Sequence, residues 1–218
     1  MKKIIIIGGF GNGTVAQSTI EDINLHENKY EILGYLNDNE IGTINNHEVL
    51  GKVDKKIIEK FLKFNDVEFY YSLISLKLNF NFLDKLLKLQ IPPHKLPTLI
   101  HPTSIISKHS EIGYGCCIQP FVSIGPNVKI GNHVQIYAQA LIGHGAIIEN
   151  FSYIANNACI GADVHLLEGA YIGTNASTIE FIKIGKWSVV GMGSVVLNDI
   201  PDYLKFAGNP AKNIGVNK

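Results

Sequence analysis

Four histidines, His109, His133, His144 and His165, fall inside a repetitive stretch of this chain. Histidine is the side chain whose ordinary proton affinity lies near neutrality, which suits it to taking and returning a proton during catalysis. A three-histidine zinc site would need convergent partners, but the positions five residues either side of His144 are Gln139 and Glu149, so no metal is expected. A second group with chemical potential stands near the start, where Gly8-Gly9-Phe10-Gly11-Asn12-Gly13 follows four isoleucines. A strand, a glycine turn and a helix start let backbone approach a phosphate, and the helix N-terminus offers it unpaired N–H groups. The spacing is GxxGxG rather than the GxGxxG of the dinucleotide fingerprint, and a tight turn without a ligand fits it equally well. Asn37-Asp38 ends a second apolar run, where doubly wound domains hold a ribose or a base, although Asn-Asp-Asn is also ordinary turn chemistry.

Two kinds of element must position these groups. From Ile106 to Val196 every sixth residue is a branched aliphatic except Thr178, sixteen positions without an insertion. Neither the 3.6-residue helical period nor the two-residue strand period accounts for this spacing. A solenoid does: three short strands joined by tight turns make a triangular coil of about eighteen residues, with an aliphatic inward on each face. Equivalent residues then stack about 4.8 Å apart, and the stretch to Ile200 holds roughly five coils. Gly at 113, 125, 131, 143, 161, 173, 185 and 191 directly follows the aliphatic and is expected where the backbone takes unusual dihedrals. The position four after each aliphatic is mostly small or β-branched, as at Cys116, Val122, Ala146 and Val164. Ahead of the coil, strands are expected at 3–8, 30–36 and 67–72, with a short apolar segment at 48–51, and helices over about 14–25, 54–64 and 80–89. That alternation predicts a small parallel α/β domain. Ile91-Pro92-Pro93 and Pro97 break the chain, giving domains of 1–97 and 98–218.

At 218 residues, with zero net charge and no basic run longer than three residues, the chain offers neither a nucleic-acid footprint nor a basic membrane-binding face. The isoleucine run at 4–7 ends at Gly8, too short for a signal-peptide core or a membrane span. Cys116, Cys117 and Cys159 all fall in the repeat and read as reduced core or turn residues of a cytoplasmic protein.

The hexads resemble the hexapeptide-repeat, left-handed β-helix acyltransferases. Taken in order, the glycine turn, Gly34-Tyr-Leu-Asn-Asp-Asn39, Val49-Leu-Gly51, Ile100-His-Pro-Thr-Ser-Ile-Ile-Ser107 and Ala207-Gly-Asn-Pro-Ala-Lys212 look like the sialic-acid O-acetyltransferase and bacillosamine N-acetyltransferase group, over essentially the whole chain. The resemblance implies a Rossmann-like nucleotide-sugar-binding domain, then an all-β left-handed parallel β-helix with a C-terminal capping segment. It implies acetyl-CoA as cosubstrate, a nucleotide-linked amino sugar (UDP or dTDP) as acceptor, and a homotrimer with an active site in each cleft between coils. It assigns the general base to His144, in Leu141-Ile-Gly-His-Gly-Ala-Ile147, on the outside of a coil corner. In the bacillosamine-type enzymes an acid directly follows the base; here that residue is Gly145, leaving Glu149, Asn150 and Glu111 as candidate orienters. Carried over by position, the nucleotide-sugar contacts are Gly11, Asn12, Gly13, Asn37, Asp38 and Gly51, and the coenzyme contacts are Tyr153, Thr174 and Met192. Tyr153 stands where the family has a histidine. Lys129, Lys183 and Lys186 are offered to the coenzyme phosphates, Trp187 falls near the pantetheine arm, and the Ala207–Lys212 segment lies near the adenine or simply caps the last coil. The implied reaction acetylates an amino group of the sugar for surface-polysaccharide or glycan synthesis. O-acetylation of a sialic-acid-like sugar is the nearest rival, and a non-catalytic nucleotide-sugar-binding trimer is another.

Overall fold

In a computed structural model, which describes residues 1–74 and 81–217, the chain forms two compact units that divide between Pro102 and Thr103. The first is built on β1 (Lys2–Ile7), whose isoleucines Ile4 to Ile7 are wholly buried. A strand paired on both edges and covered on both faces reads as an unbroken apolar run. After β1 come α1 (Asn12–Glu27) and β2 (Tyr30–Leu36). A hairpin of β3 (Thr43–Ile44) and β4 (His47–Gly51) follows. Its turn residues Asn45 and Asn46 both have positive φ, 43° and 67°, as a two-residue hairpin turn requires. Next is α2 (Lys55–Leu62), capped by Asp54, whose carboxylate accepts from the Lys56 amide at 2.8 Å. The unit continues with β5 (Val67–Tyr71) and α3 (Asn81–Leu89); the expected helix start at Phe80 lies outside the described residues.

The sheet order is β3-β4-β2-β1-β5, with β4, β2, β1 and β5 parallel and β3 antiparallel. The chain leaves β1 toward β2 and β4 on one side and returns to β5 on the other. Its direction therefore reverses beside β1, and in open parallel sheets a crevice opens at the carboxyl ends of the strands at such a point.

The second unit is a parallel coil. Each short strand pairs with the one eighteen residues on, as Ser123 with Leu141, Lys129 with Ile147 and Gln135 with Tyr153, giving three sheets consistent with a left-handed β-helix of hexapeptide repeats. Its interior is the expected aliphatic column, Ile118 to Val196, interleaved with the small residues four positions on, Val122 to Ala176. Burying one such aliphatic contributes about 1.5–3 kcal/mol. Thr178, the exception among the hexads, is also buried; its hydroxyl accepts from the Gly161 amide at 2.9 Å and replaces a ladder carbonyl, so the ladder there pairs only Cys159 with Ser177.

The glycines that follow the aliphatics do something other than expected. None of Gly113, Gly125, Gly131, Gly143, Gly161, Gly173, Gly185 or Gly191 has positive φ; the left-handed residue comes two positions later, at every sixth residue from Gly115 to Gly193. Each corner is thus a turn whose third residue is left-handed. The earlier glycines permit close stacking instead: a Cβ at Gly143 would lie 2.6 Å from the Ala162 amide nitrogen, and one at Gly161 2.8 Å from that of Glu180. Cys116 and Cys117 are buried as expected, whereas Cys159 is exposed on an outer face. At the carboxyl end Leu204–Ala207 joins the coil in parallel beside Val189-Val190 and folds back antiparallel onto Lys212–Val216, closing the last coil.

Candidate active site

The predicted nucleotide-sugar residues all lie at the carboxyl ends of parallel strands. Gly11, with φ 90°, is the N-cap of α1 and supplies no side-chain cap, so the helix begins at the glycine turn, where backbone N–H groups and the helix dipole favour an anion. The Asn12 side-chain Nδ2 donates to the Ile74 carbonyl at 3.0 Å, and Gly13 is buried against Ser72. A cavity of about 220 Å³, lined by Gly9, Phe10, Asn12, Gly13, Ser72, Leu73 and Ile74, opens there, at the reversal point between β1 and β5. Asn37 is turned to local structure: its side-chain oxygen accepts from the Asn39 and Glu40 amides at 2.7 and 2.9 Å, and its own amide donates to Gly51 O at 2.9 Å. Asp38 accepts from the Val53 amide at 2.9 Å and from Lys85. Partial burial pushes its carboxyl up, but the hydrogen bonds from Lys85 and Val53, with the charges of Lys85 and Lys52, outweigh that and hold it below the usual carboxylate range. Asn12 and Gly13 therefore line the cavity, with Gly11 beside them in the chain, while Asn37, Asp38 and Gly51 brace the neighbouring loops.

The four coil histidines have different surroundings. His133 is 3 % exposed, holds a left-handed turn position and stacks on Phe151 at 5.3 Å with its ring 2° from parallel. Burial pushes its imidazole down to about 4, so it is neutral at physiological pH. His165 is half-buried, its Nε2 2.8 Å from Glu149 Oε1, and Glu149 Oε2 accepts from the Glu168 amide at 3.1 Å. His109 and His144 are exposed. His144 occupies the first turn position of the corner between Leu141-Ile142 and Ile147-Ile148, followed by Gly145 with φ 69°. Of the three candidate orienters, Glu149 is committed to His165, Asn150 accepts from the Asn132 amide at 2.7 Å, and Glu111 sits two coils' faces away beside Lys129. Among the described residues, none of the three is hydrogen-bonded or ion-paired with His144 within one chain.

The predicted coenzyme residues lie elsewhere on the coil. Tyr153 is on the face opposite the His144 corner, half-buried in a column with Tyr137 and Tyr171, ring centroids 4.7 and 5.0 Å apart; burial pushes its phenol up. Thr174 and Met192 occupy equivalent places one coil apart on a third corner, where the Gly193 amide donates to the Thr174 carbonyl at 2.8 Å and Met192 is 81 % exposed. Lys129, Lys183 and Lys186 are exposed. Trp187 is buried, its ring lying over Gly169 and its carbonyl held by Asn217 at 2.8 Å. Among the described residues, no group of three or more His, Cys, Asp and Glu side chains is arranged to hold a metal ion, and no helix is long and apolar enough to cross a membrane.

A family profile described as bacterial transferase hexapeptide (six repeats) matches residues 121–156. No curated protein sequence matches the chain. Among solved structures, WeeI from Acinetobacter baumannii is 24 % identical, with 97 % of this chain and 100 % of that chain covered and a TM-score of 0.81. A histidine-to-alanine variant of GDP-perosamine N-acetyl transferase from Caulobacter crescentus, in complex with CoA and GDP-perosamine, is 21 % identical over 99 % of this chain and 98 % of that one, TM-score 0.69. The acetyltransferase domain of PglB from Neisseria gonorrhoeae, in complex with acetyl coenzyme A, is 22 % identical over 98 % and 99 %, TM-score 0.64. At these identities the likeness establishes the fold.

Sequence reasoning missed three side chains, Ser72, Glu40 and Asp163, and one pairing, His165 with Glu149, that the coil and the sheet bring into play. Ser72 lines the glycine-turn cavity because β5 ends beside β1, a neighbour set by sheet order. Glu40 Oε2 is buried beside Gly9 without a hydrogen-bond partner among the described residues. The His165–Glu149 pair spans sixteen residues, close to one coil of the hexapeptide repeat, so the stacking period was its signal. Asp163, equivalent to Gly145 one coil on, lies against that glycine for the same reason.

Proposed function

We propose that this chain is an acetyl-CoA-dependent N-acetyltransferase acting on an amino group of a nucleotide-linked sugar, with a Rossmann-like nucleotide-sugar domain ahead of a left-handed hexapeptide β-helix and with His144 as general base. The observation that carries the reading is the presence in one chain of a glycine-turn cavity at the sheet's reversal point and a hexapeptide coil that presents an exposed histidine at a corner. Whole-chain likeness to WeeI, PglB and the GDP-perosamine enzyme supports it. Tyr153 faces away from His144, so a site holding both draws on two copies of the coil, which supports a homotrimer with a heterologous contact used three times.

In this mechanism His144 removes a proton from the sugar amine as the nitrogen attacks the thioester carbonyl. A backbone N–H of the coil steadies the oxyanion of the tetrahedral intermediate. Collapse breaks the C–S bond, and the imidazolium returns the proton to the departing thiolate. No covalent acyl-enzyme forms. The backbone amides at the start of α1 hold the diphosphate, with Ser72 beside them, and the orphaned Glu40 oxygen accepts a donor from the nucleoside. Thr174, Met192 and Tyr153 line the coenzyme path, and Lys129, Lys183 and Lys186 meet its phosphates.

Thiol release from acetyl-CoA should be measured for the wild type and His144→Ala against UDP-, dTDP- and GDP-linked 3-amino and 4-amino sugars, with free sialic acid as control. Turnover on an amino sugar that falls by about 10²-fold or more in the variant supports the assignment. Turnover on sialic acid alone would replace it with O-acetylation, and equal turnover by the variant would remove His144 from the chemistry.

A further inference from the structure

We propose that Asp163 is the positioning residue for His144, a carboxylate supplied by the next coil in place of the one that position 145 lacks; the inference rests on His144 being the base. Gly145 and Asp163 hold the same turn position eighteen residues apart, both left-handed, with φ 69° and 53°. The coil stacks them directly. The Asp163 amide donates to the His144 carbonyl at 2.9 Å, which ties the two corners together at the base itself. Above Gly145 the Asp163 carboxyl occupies the space a side chain would take: a Cβ built on Gly145 would collide with Asp163 Oδ1 and lie 3.0 Å from its Cγ.

Two acids cannot share this place, so the glycine at 145 and the acid at 163 are complementary. An acid at 145 would project from the residue after the base; Asp163 projects into the same volume from the coil beyond. Both residues His144 and Asp163 are exposed, and among the described residues no hydrogen bond or ion pair commits either side chain elsewhere. The pairing requires the His144 ring to turn toward the carboxylate on the neighbouring turn. A base on an open corner needs such a partner, because an imidazole without one spends little of its time in the orientation and tautomer that accept the proton. Other titratable groups around this corner are Glu180 one coil further, Lys129, His165 and Lys183 along one flanking face, and Cys159 on the other. His165 is paired with Glu149.

The test uses the intact protein. NMR of ¹³C-labelled histidine, with His144 assigned from His144→Asn, follows the titration of His144 in the wild type and in Asp163→Asn without any substrate. Pairing predicts that the midpoint moves to lower pH in Asp163→Asn, since the carboxylate favours imidazolium. In steady-state assays kcat should fall by about tenfold or more, with both KM values little changed and the acid limb of the pH profile displaced the same way. The exchange Gly145→Asp with Asp163→Gly should restore kcat, because an Asp is already accommodated at this turn position. Unchanged thermal melting and oligomeric state in Asp163→Asn would separate positioning from structural loss. Identical His144 titration in wild type and Asp163→Asn overturns the proposal, as does a kcat that the exchange fails to recover. Displaced titration in a protein that acetylates no amino sugar would uphold the pairing and defeat the N-acetyltransferase assignment instead.

Discussion

Replacing His133 by Phe should flatten the response of stability to acid. The folded imidazole stays neutral until about pH 4, whereas the ordinary value is 6.5. Between those values the unfolded chain binds more protons than the folded one, so stability is fully present above the upper value and is lost as pH falls toward the lower. Between pH 7 and pH 5 this difference costs about 2 kcal/mol. Phe is a suitable replacement, because Phe121, Phe151 and Phe181 already hold the same left-handed turn position, with φ of 59°, 60° and 62°, and His133 already stacks flat on Phe151. Phe also removes the buried Nδ1, which has no partner among the described residues. Urea unfolding at fixed protein concentration, followed by the fluorescence of Trp187, the sole tryptophan, gives the stability at each pH. Fixed concentration matters if copies associate. The variant should lose about 2 kcal/mol less than the wild type on going from pH 7 to pH 5. Because every other titrating group is common to both proteins, equal losses would refute the placement of His133 as a neutral, buried ring.

Other expectations concern single contacts. Thr178→Val leaves the Gly161 amide without its acceptor and should destabilise the coil by about 1–3 kcal/mol in denaturant unfolding. Gly143→Ala should cost more than Gly193→Asn, because the first drives a Cβ to 2.6 Å from the Ala162 nitrogen while the second meets nothing within 4 Å and only needs a left-handed φ, which Asn tolerates; thermal melts of the two variants decide this. Glu149→Gln weakens the bridge to His165 and should lower melting temperature yet leave kcat near wild type, and a large kcat loss there would transfer the base from His144 to His165. Glu40→Ala should weaken nucleotide-sugar binding by about tenfold in calorimetry while sparing coenzyme binding.

Much of this architecture was legible because the hexads carry it in one dimension. An inward aliphatic every six residues fixes face, register and stacking partner together, so the core from Ile118 to Val196 could be named before any coordinates. The role of Gly143 and its equivalents was misjudged for a physical reason: positive φ and close approach both select glycine, and only the stacked coil shows which applies. The hairpin at Asn45-Asn46 escaped notice since its strand Thr43–Ile44 is two residues long, below the reach of periodicity. At the candidate sites, residues within one loop, such as Gly11 to Gly13, could be grouped from sequence. Those joined by stacking or sheet order, Asp163 with Gly145, Glu149 with His165 and Ser72 with Gly9, became neighbours only through the fold.

The closing hairpin at residues 204–216 has a consequence for the protein in solution. A β-helix that simply stopped would present three unpaired strand edges, each the same width as the coil that could dock on it, and end-to-end growth into filaments would follow. Here Leu204–Ala207 occupies one of those edges, and the strand that then becomes outermost, Lys212–Val216, is exposed, antiparallel, begins on a lysine and is kinked out of register by a bulge. Such an edge is a poor template. Whatever these residues do for a coenzyme, they also close one of the coil's three edges against a second coil.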